Sequence, residues 1–458
     1  MNALPAKLLT LVVILATLGS GLGAAAVASA APSPFGPQPQ PGTMPPPTPA
    51  VPRPIEPAPV VEPIEVKDSV TLAEVFDILK RRSPRYKAVQ YEVDIAKAEG
   101  RAARVLPNPI LNIAILYLNV GFNQNGVATY YANVTMPLLI AGQRRMRVRT
   151  ADVGVRAAEA NVRSNFHGLA HEARARFVEL QAAQERVVVL DEALVDLSRL
   201  QTVITERKRS GVETEYDSVR IAIETSSWKA RRAEEEAQAQ DIAGRLGILL
   251  GVPSWYPRAE GELRELGIQT DPERVWPELE RSQPGIDAAR REEAYAVKNI
   301  TLAKRERWPV PSVTVGTVAI QNYYSISTTV GITLPIPVFD WGQGLLARAH
   351  ARSQQARLQK DTVIAETHAE LKRAVRLLEH RRAAVLTFEQ EVSSKIPALK
   401  QMAENSYRGG QTQLIELLDA TRARFEVELT HIDMREAVIQ AEIDVLAVTG
   451  RIEELRPK

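Results

Sequence analysis

The stretch "TLPIPVFDWGQG", residues 333–344, has a close counterpart in "TMPLLIAGQRR", residues 135–145. Each copy follows an alternating run of apolar and polar residues, passes Thr-x-Pro and a few more apolar residues, and reaches Gly-Gln. Proline cannot donate to a β ladder and ends a strand, whereas glycine permits a tight turn. Each copy therefore predicts a junction at which a strand gives way to another element. The candidate strand-to-helix junction residues are Pro137, Gly142, Pro335 and Gly342.

The two junctions belong to a longer duplication. Pro84 aligns with Pro284. In the same alignment the Pro-x-Pro motif at 107–109 corresponds, after a small shift, to that at 309–311. Each copy continues with two alternating apolar runs, the junction, a very long helical pattern, a glycine turn and a second helical pattern. A duplication on this scale predicts two structural repeats in one chain.

The N-terminus predicts export from the cytoplasm. Lys7 and an apolar run at 8–27 precede Ala28-Ser29-Ala30, the small residues that a signal peptidase reads, so residues 1–30 are predicted to be a signal peptide. An uncleaved membrane anchor is the alternative, because the run is just long enough to span a bilayer. Residues 31–66 are so rich in proline that they predict a disordered, extended linker.

The remaining boundaries follow from the duplication. The first repeat is predicted at 67–251, with helices, a β-hairpin at 107–139 and a long helix pair at 142–251. The second is predicted at 279–450, with a helix, a hairpin at 309–339 and a long helix pair at 342–450. Residues 252–278 are predicted to form an inter-repeat equatorial segment, and residues 451–458 a C-terminal tail.

Composition removes several classes of function. The chain of 458 residues has 57 Lys and Arg against 55 Asp and Glu, which gives a net charge of +2. The protein therefore lacks the strongly basic surface that is typical of nucleic-acid binding. It contains no cysteine, which excludes disulfides, thiolate metal sites, cysteine nucleophiles and a lipid anchor on an N-terminal cysteine.

The apolar runs have the period of two that is typical of β-strands. Ile326, Val330 and Ile332 fall on one face of the last run, with small polar residues between them. A similar run covers residues 129–136. The partner runs are predicted at 107–120 and 311–320, and the second of these changes parity near Gly316, which predicts a β-bulge.

Each pair of runs is predicted to form a hairpin, and the runs are long enough to cross an outer membrane when tilted. Four strands cannot close a barrel, since small barrels need about eight, and an open edge in lipid leaves backbone groups without hydrogen bonds. If the strands lie in a membrane, the chain must therefore be an oligomer. The alternative is two hairpins in a soluble sheet.

The helical patterns are unusually long. Residues 144–209 contain no proline, and apolar residues recur at heptad spacing, as at Leu180, Val187 and Leu194, which is typical of coiled-coil packing. About 66 helical residues would extend about 100 Å. The returning helical pattern, about 216–250, is much shorter, and the difference is close to the length of the helix at 85–104. Two shorter helices stacked end to end are therefore predicted to match the length of one long helix in each repeat. Separately, Pro397 is predicted to kink the second long helix. A short helix is also predicted at 69–79.

At this point the sequence resembles the TolC-type family of outer-membrane efflux proteins, over about residues 69–450. The resemblance is carried by the doubled plan, the two Pro…Gly-Gln junctions, Gly211 with Asp217 six residues later, and "SYRGGQTQLIELLDATRARFE" at 406–426. Two dipeptides, Asn108-Pro109 and Ile396-Pro397, resemble the sequence of one branch of this family, the branch that serves heavy-metal and related cation pumps.

The resemblance implies an α+β membrane protein: a homotrimer in which duplicated hairpins form a 12-stranded barrel in the outer membrane and long coiled-coil helices form a 12-helix periplasmic tunnel. The partners it implies are a periplasmic adaptor (membrane fusion) protein, an inner-membrane pump and outer-membrane lipid. It implies a passive conduit of a tripartite efflux or type I secretion system, with no enzymatic reaction and no cofactor.

The resemblance also implies functional residues at the periplasmic mouth. Glu416 and Asp419 correspond to acidic rings that attract cations. The alternative is two solvated carboxylates near a helix N-terminus, where acids are favoured. Tyr407 and Asp217 match positions that hold the mouth closed, but the family's Arg–Thr companion contact is absent, because Thr412 and Tyr216 occupy those places. The implied adaptor-docking tips are Gly211, Thr214, Gly409 and Gly410.

Other readings of the sequence are less well supported. His167 and His171 have the spacing of a two-histidine metal site, but Gly168 stands where a zinc hydrolase has glutamate and no third ligand is evident, so no metal site is predicted. A periplasmic coiled-coil adaptor or scaffold without a channel is the main alternative function. An exported enzyme is disfavoured because the sequence offers no catalytic constellation.

Overall fold

The structure is a computed structural model that describes residues 67–117, 128–209, 215–320, 325–409, 411 and 413–454. All of them lie in one compact unit, Pro63–Lys458. The predicted signal peptide at 1–30 and linker at 31–66 lie outside the described residues. So do both hairpin loops and most of the two predicted tips.

The element order repeats, with one set of helices and strands in each half of the chain. The first half contains β1 (Ser69–Val70), α1 (Leu72–Arg82), α2 (Pro84–Arg104), β2 (Ile110–Tyr117), β3 (Ala128–Pro137), α3 (Gln143–Arg209), α4 (Glu215–Leu250) and β4 (Arg258–Ala259). The second half contains α5 (Pro272–Ser282), α6 (Pro284–Glu306), β5 (Ser312–Ile320), β6 (Ser325–Thr333), α7 (Gln343–Glu391), a 3-10 turn (Ser393–Lys395), α8 (Ile396–Arg408) and α9 (Leu414–Val448).

The start of the first repeat differs from the predicted helix at 69–79. Ser69 and Val70 pair in parallel with Arg258 and Ala259, so they form a strand and not a helical turn. Helix α1 begins only at Leu72, because Thr71 caps it in a reciprocal capping box with Glu74. Helix α5, which corresponds to α1 in the second half, spans the predicted boundary at residue 279.

The four longer strands form one antiparallel sheet in the order β2-β3-β5-β6. Strand β3 pairs with β5, so the two hairpins of the duplication are joined side by side. Directly opposed residues share a face of a sheet. One face carries mainly apolar rows, for example Leu111, Val134, Val315 and Val330, and the other carries mainly polar rows, for example Asn112, Asn133, Gly316 and Thr329.

The predicted β-bulge near Gly316 is wrong. Strand β5 pairs residue for residue with both neighbours from Ser312 to Ile320. The parity of the sequence changes there because Val318 and Ile320 lie on the mainly polar face. Position 316 requires glycine because a Cβ there would lie 1.9 Å from Asn133 Oδ1 on the neighbouring strand.

Helix α3 is one continuous helix of 67 residues, and the shorter helices stack along it as their lengths predict. Gly251, at the end of α4 with φ +83°, lies so close to the start of α2 that an added Cβ would be 2.7 Å from Pro84 Cδ. Ser83 Oγ donates to the Leu249 carbonyl oxygen at 3.1 Å. The second half repeats this arrangement, since a Cβ on Gly450 would lie 3.2 Å from Pro284 Cδ.

The second long helix is interrupted, as Pro397 predicts, but the break lies before the proline. Helix α7 ends at Glu391, and Val392 departs from helical geometry with φ −115° and ψ −64°. A 3-10 turn follows, and α8 begins at Ile396 with Pro397 in its first turn. The proline ring excludes the carbonyl four residues earlier and lacks an N–H, so it can begin a helix but not continue one.

Two buried charged side chains hold the inter-repeat and C-terminal segments against the helices. The fully buried Glu442 carboxylate of α9 accepts the backbone N–H groups of Leu266, Gly267 and Ile268, at 2.6, 2.8 and 3.2 Å. It also accepts from Arg382 of α7. Arg174 of α3 donates to the carbonyl oxygens of Ile452 and Glu454, and burial lowers its pKa to about 10.

Among the helices that the structure describes, none is both long and apolar enough to cross a membrane.

Candidate functional site

The Gly-Gln motif at each junction is a helix start. Gly142 and Gly342 have φ +76° and +79°, a left-handed conformation that favours glycine. The following glutamine folds back, so that Gln143 Oε1 accepts the Ala141 N–H at 3.0 Å and Gln343 Oε1 accepts the Trp341 N–H at 2.9 Å. The same role in both copies explains why both residues of the motif recur.

The prolines of the junctions lie where the chain leaves the sheet. Pro137 is the last residue of β3, and Pro335 follows β6, which ends at Thr333. After β3 the Leu138 N–H donates to the Pro311 carbonyl oxygen at 2.7 Å, which ties the two repeats together at this level. Gln143 adds to this link, because its Nε2 donates to the Trp308 carbonyl oxygen at 3.4 Å.

The segment between β6 and α7 exposes large apolar side chains. Phe339 is 92% exposed, Ile336 77% and Trp341 49%. The Arg307 guanidinium lies 4.6 Å from the centre of the Trp341 ring, and its Nε donates to the Trp341 carbonyl oxygen at 3.0 Å. Aromatic and cationic side chains in this combination are typical of a membrane–water interface.

The opposite ends of the long helices form what we call the tip: the ends of α3 and α8 and the starts of α4 and α9. An apolar cluster fills it, and Tyr407 is one of its members at 4% exposure. Asp217 lies in the first turn of α4. Of the two predicted gate residues, Tyr407 therefore belongs to the buried core of the tip.

The predicted acidic residues lie on the outside of α9. Glu416 is in its first turn, and both Glu416 and Asp419 are exposed, whereas Leu414, Leu417 and Leu418 are buried. Neither carboxylate forms an ion pair with any other residue that the structure describes. The two side chains therefore share one solvent-facing side of the helix at the tip.

Of the predicted docking tips, only Gly409 falls among the described residues. It is exposed, and its N–H donates to the Asn405 carbonyl oxygen at 3.0 Å, which closes the end of α8. Gly211, Thr214 and Gly410 lie outside the described residues.

The structure brings together three charged residues at the tip that the sequence analysis missed. Asp196 Oδ2 of α3 accepts from Lys400 Nζ of α8 at 2.8 Å and from Arg424 Nη1 of α9 at 3.0 Å. Asp196 is 18% exposed and both cations are also largely covered. We call these three residues the tip clamp. Heptad and helix-face patterns gave no signal for it, because Asp196 is more than 200 residues from either cation in sequence.

The two histidines that have metal-site spacing have separate partners on α9. His167 Nε2 lies 2.8 Å from the Ala447 carbonyl oxygen, to which it donates a hydrogen bond, and His171 Nε2 lies 3.0 Å from Asp444 Oδ1. Burial lowers the pKa of His167. Within the described part of the chain, no group of three or more His, Asp or Glu side chains is placed to hold a metal ion.

Comparison with known proteins gives a consistent result. The family model "Outer membrane efflux protein" matches residues 277–451, which includes the whole predicted second repeat, 279–450. The cobalt-zinc-cadmium resistance protein CzcC of Cupriavidus metallidurans is 24% identical over 395 residues, or 85% of this chain and 92% of that protein.

Solved structures share the fold. A membrane protein from Pseudomonas aeruginosa superimposes with a TM-score of 0.70 at 20% identity, over 83% of this chain and 90% of that one. CusC superimposes with a TM-score of 0.66 at 20% identity, over 83% of this chain and 92% of that one.

The first half of the chain repeats the element order of the half that the family model matches, so both halves follow one plan. The same evidence decides against the alternative of a periplasmic adaptor. The second repeat is similar in sequence to the outer membrane efflux proteins, and these comparisons support a passive outer-membrane efflux channel with a periplasmic tunnel and not an enzyme.

Proposed function

We propose that three copies of this chain close a 12-stranded barrel in the outer membrane and a 12-helix periplasmic tunnel, and that this channel exports divalent metal cations. The four-stranded sheet carries the proposal. Its outer strands, β2 and β6, have no further neighbour among the described strands, and an open edge is unfavourable in lipid. Three sheets of four strands, joined edge to edge, would remove every open edge.

The sheet also has the two faces that a membrane barrel needs. Ile113, Val330 and Ile332 lie on the apolar face and are 70% to 78% exposed in one chain. Asn112, Asn133 and Thr329 lie on the opposite face. In a closed barrel the apolar face would contact lipid and the polar face would line a water-filled lumen.

Substitution by lysine tests the assignment of the faces. Val330→Lys places a charge on the lipid side, which costs about 2–4 kcal/mol near the middle of a bilayer, so assembly in the outer membrane should fall sharply. Thr329→Lys, one residue away on the lumen side, is the matched control and should still assemble. Equal assembly of the two variants would reject a membrane sheet and favour the alternative of a soluble one.

The proposed cargo rests on the relatives and on the tip. CzcC is named for cobalt, zinc and cadmium resistance, and a second relative, NccC, is named for nickel, cobalt and cadmium resistance. Glu416 and Asp419 face solvent without ion-pair partners among the described residues. In a trimer they would form two rings of three carboxylates, which attract cations to the entrance.

The other proposed roles are at the tip and the N-terminus. The tip, including Gly211, Thr214, Gly409 and Gly410, would dock a periplasmic adaptor that joins the channel to an inner-membrane pump. Tyr407 and Asp217 would help to keep the mouth closed. Residues 1–30 would direct export as a signal peptide, and residues 31–66 would form a linker ahead of the first repeat.

Deletion of the gene tests the cargo. Cells that lack it should become sensitive to cobalt, zinc, cadmium or nickel ions, and the wild-type gene should restore growth. The Val330→Lys variant should not restore growth, whereas Thr329→Lys should. Sensitivity to dyes or antibiotics without sensitivity to metals would overturn the proposed cargo and leave the channel intact.

A further inference from the structure

A groove of about 840 Å³ lies at the first junction, between the end of α2, the end of β3 and the start of α3. One wall is apolar and includes Leu106 and Ile140, which are 54% and 73% exposed. The other wall is basic and carries the exposed side chains of Arg144, Arg145 and Arg149. We call these three residues the arginine rim.

The arginine rim lacks acidic partners in the part of the chain that the structure describes. Arg147, on the same turns, forms a bidentate ion pair with Glu306 at 2.6 and 2.8 Å. Among the described residues, Arg144 donates only to a backbone carbonyl oxygen, that of Arg104, at 2.9 Å. Arg145 and Arg149 have no carboxylate partner among the described residues.

The position of the rim is unfavourable for cations. The N-terminal end of a helix carries a partial positive charge, which disfavours cations, and the first turn of α3 contains no acidic residue. The second repeat has uncharged residues at the corresponding places at the start of α7, namely Gly344, Leu345 and Ala349. The rim is therefore specific to the first junction and is not required to start a long helix.

We propose that this groove binds an anionic phospholipid of the periplasmic leaflet of the outer membrane. Arginine forms charge-assisted, often bidentate hydrogen bonds to phosphate, so the rim would hold the headgroup. The apolar wall of Leu106 and Ile140 would contact an acyl chain. The inference rests on the proposed function, because the barrel sets this junction at the level of the leaflet.

Charge favours a lipid over a second copy of the chain as the occupant. The exposed segment 334–341 is the part of the other repeat at the same level, and it carries a single acidic residue, Asp340. That carboxylate already accepts the Gly342 N–H at 2.9 Å. It supplies too little negative charge for three arginines, whereas an anionic phospholipid supplies phosphate and an apolar tail together.

Native mass spectrometry of the full chain, purified in detergent, tests the proposal. Phosphatidylglycerol and phosphatidylethanolamine are added at equal concentration, and the wild-type oligomer should retain phosphatidylglycerol preferentially. A variant with Arg144→Gln, Arg145→Gln and Arg149→Gln should bind phosphatidylglycerol on the order of 100-fold more weakly, given the attraction of each arginine to an anionic membrane surface. The matched control carries Arg352→Gln, Arg357→Gln and Arg376→Gln, three exposed arginines of α7, and should bind as the wild type does.

Three outcomes would overturn the proposal: no preference for the anionic lipid in the wild type, an unchanged preference in the rim variant, or binding to dissociated single chains but not to the oligomer. The last would assign the groove to contact between copies. The same spectra report the number of chains per oligomer. A wild-type protein that is not oligomeric would refute the proposed channel, whereas an intact trimer without lipid preference would refute only the lipid site.

Discussion

Asp196 Oδ2 lies 2.8 Å from Lys400 Nζ, so α3, the continuous long helix of the first repeat, holds α8, the segment that follows the break in the second. The same oxygen accepts from Arg424 of α9 at 3.0 Å. Because the helix breaks before Pro397, α8 does not have to continue in the direction of α7. The tip clamp then fixes the position of α8. A channel that opens by moving the helices of the tip would have to break this clamp.

The first prediction concerns that clamp. Asp196→Asn removes the charge that faces both cations, which weakens the closed arrangement by about 1–2 kcal/mol and raises the opening equilibrium roughly 5- to 30-fold. Open probability in planar-bilayer recordings should rise accordingly. Asp191→Asn, on the same helix but paired with Arg232 at an exposed position, is the control and should have no effect. Equal open probability in all three proteins would show that the clamp does not gate the channel.

The second prediction concerns ion selectivity. Glu416→Gln with Asp419→Asn removes the proposed carboxylate rings without changing side-chain size, so the reversal potential in a salt gradient should shift toward that of a non-selective pore. Glu234→Gln with Asp241→Asn removes two exposed charges of α4 away from the tip and should leave the potential unchanged. If both double variants behave like the wild type, these residues are ordinary solvated carboxylates.

The third prediction concerns the second junction. Gly342 has φ +79°, and a Cβ there would lie 2.5 Å from Arg307 Cγ, so Gly342→Ala should destabilise the protein by about 1–3 kcal/mol. Gly344 has no atom within 4 Å of an added Cβ, and Gly344→Ala should be nearly neutral. Thermal unfolding of the two purified variants in detergent checks this. A Gly342→Ala protein as stable as the wild type would contradict the strained junction.

The fourth prediction concerns pH. Because burial lowers the pKa of His167, the unfolded chain takes up a proton there at a higher pH than the folded chain does. Stability should therefore decrease as the pH falls below about 6.5, the ordinary value for histidine. His167→Gln keeps a donor for the Ala447 carbonyl oxygen but cannot titrate, so its melting temperature should vary less between pH 7 and pH 5.5. His350→Gln, an exposed histidine of α7, serves as the control. An unchanged pH profile in the His167 variant would contradict the assignment.

The repeated architecture could be predicted because each of its signals is local. The period of two in the strands, the heptad spacing near Leu180 and the Pro…Gly-Gln junctions each depend on residues close together in sequence. Helix lengths then fix the end-to-end stacking that Gly251 and Pro84 show. A local signal was misleading at Gly316, where the change of parity reflects apolar residues on the polar face and a space for Asn133, and not a bulge.

The remaining features depend on pairing between distant residues, which one sequence does not reveal. Asp196 meets Lys400, and Glu442 meets three backbone N–H groups of the inter-repeat segment, only after the helices have packed. The break in the second long helix also falls before Pro397, because the conflict of the proline ring is with the preceding turn. The recurring glutamines, Gln143 and Gln343, were visible in the motif, but their capping role required the structure.

The number of chains in the membrane form tests the central claim most directly. Light scattering on the full chain, extracted from outer membranes and purified in detergent, should give a protein mass three times that of one chain, because three four-stranded sheets are needed to close the barrel. A stable single chain that remains soluble without detergent would contradict the account.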